Sequence, residues 1–181
     1  MKVIALISVV VLLVILGLIV GTDAHSTHIS ISERAASRRW SYLVFAGSLS
    51  TFGSLLFLYL LLFFGDQFGL PASYYIALFI GWGCLLLTAW IPDHGPRNFS
   101  NLHWKTALGL ASSMTIMTMS LVGARHVGET IRVLSLAISL WYCYTLYVWL
   151  FNTQAFQLYL RFETMNIASF IGLLTLTLIF R

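Results

Sequence analysis

The feature that most constrains this chain is the run VIALISVVVLLVILGLIV, residues 3–20, which is apolar on every helical face. A helix of about 20 such residues spans the roughly 30 Å of hydrocarbon in a bilayer. Comparable runs recur along the rest of the sequence. A transmembrane barrel would instead alternate polar and apolar residues over segments of about ten. No such alternation is present, so the sequence predicts an all-α fold, a polytopic transmembrane helix bundle. Hydrophobic residues make up 59% of the chain and charged residues 9%, against about 25% in ordinary soluble domains. A soluble protein this small could not hide so much apolar surface.

Six spans are expected in a single transmembrane domain, residues 1–181. Their predicted bounds are 3–21, 40–64, 72–91, 104–122, 131–151 and 162–180. The first could also read as a secretory signal, with Lys2 as its basic start. Its apolar run is longer than the usual signal core, so it is counted as a span. The polar stretch 22–40 includes SERAASRR (32–39), which suits a short interfacial helix ending at Trp40. The motif GDQFGLP (65–71) reads as a tight turn. Asn152, Gln154 and Gln157 mark a turn or kink after the fifth span. The short loops predict antiparallel packing of successive helices.

This register sends loops one, three and five to one side and the termini to the other. The loop side collects Arg34, Arg38, Arg39, Arg97, Lys105 and Arg161, with Asp93, Glu163 and most of the histidines. The opposite side holds Lys2, Arg125, Arg132 and Arg181. The positive-inside tendency therefore places loops one, three and five in the cytoplasm. Trp40, Trp90, Trp104 and Trp149 stand at helix ends on the loop side, as an interfacial aromatic belt requires. The net charge of +4 is scattered over helix ends, which offers nucleic acid no concentrated basic surface.

Within segment two, Ala46, Ser50 and Ser54 recur every four residues, beside Gly47 and Gly53. Such a stripe lets a neighbouring helix approach closely. The alternative reading is a ligand groove. Ser112, Ser113, Thr115, Thr118 and Ser120 in segment four can bond their own helix carbonyls, or could line a polar pore. Cys84 and Cys143 read as small buried apolar side chains rather than a metal or redox pair.

Candidate chemistry concentrates on the loop side. Asp93, His103 and Glu163 are the candidate catalytic residues, since a carboxylate with histidine can move protons. His94 and His103 are candidate metal ligands, but their spacing matches no recognised zinc motif, so no metal is assigned. Glu163 opens segment six, and Asn166 follows on the same helical face. Glu163 is expected to pair with His103, Lys105 or Arg161, because an unpaired charge there is costly. Arg38, Arg39 and Lys105 are candidate contacts for a lipid headgroup. On the opposite side, Arg125 and Glu129 would pair if their loop were helical.

AWIPDHG (89–95), NLHWKTA (101–107) and FETMN (162–166) together resemble a family of uncharacterised six-span membrane proteins, mostly bacterial. That family is distantly similar to the autophagy-modulator and anchor-remodelling membrane proteins of eukaryotes. Pro92, Asp93, His103 and Ala107 carry the likeness. Ile91 departs from the aromatic residue that the family places before the proline. The resemblance implies a six-span bundle with a lipid-associated role.

Three function classes follow. The first is a non-catalytic binding or accessory protein, whose partners are membrane lipids or other subunits of a membrane complex. The second is a membrane-embedded enzyme acting on a lipid or its headgroup through Asp93, His103 and Glu163. The third is a small transporter, which would require polar groups or a broken helix at the midplane. No signature for haem, flavin or nucleotide is present, and no cofactor is assigned. Pigments and quinones bind apolar helix surfaces without leaving one.

Overall fold

The computed structural model of the chain describes residues 2–21, 39–91, 97–151 and 159–179. These residues form six long helices and no strand. Helix α1 is Lys2–Gly21. Helix α2 runs Arg39–Tyr59, passes through a π-helical turn at Leu60–Phe64, and ends in a last turn at Gly65–Phe68. Then follow α3 (Ala72–Trp90), α4 (Arg97–Val122), α5 (Glu129–Phe151) and α6 (Tyr159–Ile179). Three helices, Trp40–Phe68, Ala72–Trp90 and Glu129–Phe151, are long and apolar enough to cross a membrane. Lys2–Leu18 and Glu163–Ile179 are shorter apolar stretches.

Two expected boundaries move. Segment two does not stop at residue 64, because the π turn carries the helix on to Phe68. There the Gly65 N–H bonds the Leu60 carbonyl, five residues back. The GDQF part of the expected turn is therefore helical. The chain reverses at Gly69, whose φ of 60° lies in the left-handed region that glycine enters without strain. Helix α4 begins at Arg97 rather than Trp104. The polar RNFSNLH reads as loop by composition, yet Pro96 directly before it is a helix-start signal. The interfacial helix expected within 32–38 and the kink expected at Asn152, Gln154 and Gln157 lie outside the described residues.

The helices close into a ring in chain order. Each packs against the next, and α6 returns to α1. The α3–α4 interface is the most extensive. Phe45 near the start of α2 packs on Ile15 and Leu16 near the end of α1, together with Ile167 of α6. Antiparallel order follows from that contact. Tyr74 and Tyr142 are the largest wholly buried side chains. The small residues set close approach: a Cβ on Gly81 would stand 3.0 Å from the Ser113 Cβ, and one on Gly109 would stand 2.7 Å from the Cys84 Sγ. Glycine at both positions lets α3 and α4 meet almost backbone to backbone.

The serine stripe of α2 serves helix packing, now with named partners. The Trp90 indole donates to Ser50 Oγ at 2.8 Å, and the Trp82 indole donates to Ser54 Oγ at 3.0 Å. Two tryptophans of α3 are thereby held against α2. The hydroxyls of α4 do bond their own helix: Ser113 to the Gly109 carbonyl, Thr115 to Ala111, Thr118 to Met114 and Ser120 to Ile116. Ser139 of α5 donates to Thr118 Oγ1 at 2.9 Å as a bridge between helices. Cys84 is half-buried with its Sγ against Gly109 at the α3–α4 contact, but Cys143 is exposed on the outer flank of α5, contrary to its expected burial. The helical period turns it away while its neighbour Tyr142 faces inward.

Candidate functional site

The ring holds a half-open apolar cavity of about 180 Å³. Its walls come from α1, α2, α3, α4 and α6, so no single helix contains it. On α2 the lining runs from Phe45 to Leu60, about 22 Å of helix. On α6 it comprises Glu163, Ile167, Phe170 and Ile171, a spacing that keeps one helical face inward. Phe57 and Trp82 stack across the α2–α3 wall with ring centres 4.7 Å apart. A cavity of about 150 Å³ lined by aliphatic and aromatic side chains stays dry and admits a benzene-sized guest. This one is slightly larger and has the same apolar character along most of its length.

Its polar lining is sparse. Among the described residues, Glu163 is the one ionisable side chain on the wall, and Thr88 and Ser113 are its hydroxyls. Glu163 is half-buried and stands one turn into α6, at the same end of the bundle as the close of α3. A carboxylate at the head of a helical face that is otherwise apolar is the kind of group that marks a site by default.

Beside it lies a ladder of hydrogen bonds joining α3 to α4. Thr88 donates to Thr106 Oγ1 at 3.0 Å, and Thr106 donates to the His103 carbonyl at 2.8 Å. The His103 Nδ1 lies 2.6 Å from the Ile91 carbonyl oxygen. A carbonyl can only accept, so Nδ1 carries the proton. His103 is 3% exposed. Its imidazole satisfies a carbonyl at the end of α3, one of the groups that a helix terminus leaves open. It thereby staples α3 to α4 across the connection between them. His103→Leu is expected to lower thermal stability by about 1–2 kcal/mol by stranding that carbonyl. Unfolding in mild detergent measures it, and an unchanged midpoint would show the staple to be idle.

Of the sequence-predicted candidates, Glu163 lines the cavity, and His103 holds the Ile91 carbonyl through its Nδ1. Lys105 is exposed, turned from the face that His103 and Thr106 present inward. Asp93, His94 and Arg38 lie outside the described residues, as do the side chains of Arg39 and Arg161. Among the described residues, no three His, Cys, Asp or Glu side chains form a group that could hold a metal. At the opposite end, residues 123–128 are not helical, so Arg125 and Glu129 do not share the helix that their pairing needed. Arg132 instead donates to the Ala124 carbonyl at 2.9 Å and braces that turn.

Asn166, read only as the deeper neighbour of Glu163, is the hub between α5 and α6. The Trp141 indole donates to its Oδ1 at 2.9 Å, and its Nδ2 donates to Thr145 Oγ1 at 3.2 Å. Tyr142 donates to its carbonyl at 2.8 Å. Sequence reasoning also missed Thr88, Thr106 and Trp82 as parts of the site. None carries a local signal, because each matters only through a partner on another helix.

The chain matches no protein-family model, no curated protein and no solved structure.

Proposed function

We propose that this chain is a six-span membrane protein with a non-catalytic binding role, holding the apolar part of a membrane lipid inside its helical ring. The observation that carries the reading is the cavity, apolar along its walls and ended by the carboxylate of Glu163. That gradient is the shape of an amphiphile: hydrocarbon inward, headgroup toward the helix ends that carry Trp40, Trp90 and Lys105. In a bilayer those tryptophans sit at headgroup depth. They are 80% and 51% exposed, as interfacial anchors are. The packing of α1, α4 and α6 in the ring beside the three helices that are long and apolar enough to cross supports the count of six.

The resemblance to six-span membrane proteins with lipid-associated relatives agrees with this reading. His103 and Ala107 stand in the first three turns of α4, while Pro92 and Asp93 lie outside the described residues. The enzymatic reading stands second, because the Nδ1 of His103 is committed to the Ile91 carbonyl.

Native mass spectrometry of the protein, extracted gently from its membrane, tests the proposal. The expected result is a complex with one retained molecule of lipid mass. Bare protein at every detergent strength would sink the lipid reading. A fixed-stoichiometry assembly with other proteins would move the role to a subunit of a larger complex.

A further inference from the structure

The polar atoms facing the cavity share one property. An ionised Glu163 accepts hydrogen bonds and donates none. The Thr88 hydroxyl spends its proton on Thr106, and the Ser113 hydroxyl spends its proton on the Gly109 carbonyl. The Trp82 indole N–H is committed to Ser54. Among the described residues the lining therefore presents acceptors and no uncommitted side-chain donor. Phe45, Phe57, Trp82 and Phe170 line the same wall, and aromatic rings of this kind attract a cation.

We infer that the cavity takes an amphiphile whose apolar body ends in a protonated amine, seated against the Glu163 carboxylate. This rests on the lipid-binding reading above and adds the headgroup chemistry to it. An ammonium supplies three donors and no acceptor, which complements the acceptors of the described lining. A carboxylate has about four lone-pair positions, so it can hold an ammonium beside a neighbour within the protein. A phosphomonoester, sulfate or fatty-acid head brings negative charge to the same carboxylate. A quinone brings carbonyl acceptors that find no donor. The matching chemistry has two sources: an aminolipid of the bilayer, or a free lipophilic amine.

The test uses the whole protein in nanodiscs holding equal parts of phosphatidylethanolamine, phosphatidylcholine and phosphatidylglycerol. Native mass spectrometry reads the lipid retained on ejection. A charge-assisted hydrogen bond predicts about tenfold enrichment of phosphatidylethanolamine over phosphatidylglycerol. In Glu163→Gln the ratio should fall to that of the bilayer, through loss of the extra phosphatidylethanolamine. The wild-type ratio is decisive even if that variant folds poorly. A parallel arm adds decylamine or decanol to delipidated protein and follows thermal unfolding. Stabilisation by decylamine beyond decanol, without lipid enrichment, supports the amine site and assigns it to a free amine. Lipid retained in the bilayer ratio, with decanol as effective as decylamine, overturns the headgroup assignment and leaves the cavity reading standing. Absence of any retained lipid, with neither additive stabilising, overturns both.

Discussion

Replacing Asn166 with leucine should lower stability by about 2 kcal/mol, a large loss for a single side chain in a helical membrane protein. The residue is 5% exposed and makes two side-chain bonds, one to Trp141 and one to Thr145. Leucine occupies a similar volume but offers the Trp141 indole no acceptor. Losing the bond to the half-buried indole, together with that to Thr145, costs about 1–3 kcal/mol. The α5–α6 interface is also sparser than α3–α4, so the hub carries a larger share of it. Tyr142→Phe should cost less, about 1 kcal/mol, because the Asn166 carbonyl that it leaves remains within its own helix ladder. Reversible unfolding of both variants in one detergent would check the order. Equal losses would mean that Asn166 acts by packing alone.

Ile167→Trp should abolish stabilisation by any bound amphiphile. Ile167 lies one turn below Glu163 on the cavity face of α6, and an indole there fills the space the hydrocarbon would use. At a free ligand concentration near 100 times Kd, binding raises the wild-type stability by about 2.7 kcal/mol. The variant should gain less than about 0.5 kcal/mol under the same conditions. Ile167→Ala separates ligand loss from simple damage. It should cost about 2–4 kcal/mol without ligand, through the enlarged void, yet still respond to ligand. If the tryptophan variant responds as fully as wild type, the amphiphile binds elsewhere.

The helices were legible in the sequence because apolar length is a local property. The segments at 72–91 and 131–151 match α3 and α5 within two residues at each end. The Ser50–Ser54 stripe was legible as packing, though its tryptophan partners were not. The start of α4 was obscured because polar composition imitates a loop, even when the backbone is helical and Pro96 announces it. The π turn left no trace, since LLLFF is equally apolar in either winding. Glu163 stood out as a charge at a span end. Its role did not, because a cavity walled by five helices is a property of the closed ring and of no segment. The same argument explains His103: an isolated histidine invites a chemical reading, and only the fold shows the Ile91 carbonyl beside it.

The ring order has a consequence for how the protein is made. Each helix emerging from the ribosome finds a packing neighbour synthesised just before it, so assembly proceeds by local steps. The exception is the last seam, where α6 meets α1 across nearly the whole chain. Until α6 arrives, the cavity lacks a wall and Glu163 is not yet in place. Loading of the pocket is therefore bound to the synthesis of α6, and a chain stopped before it would remain an open arc of helices.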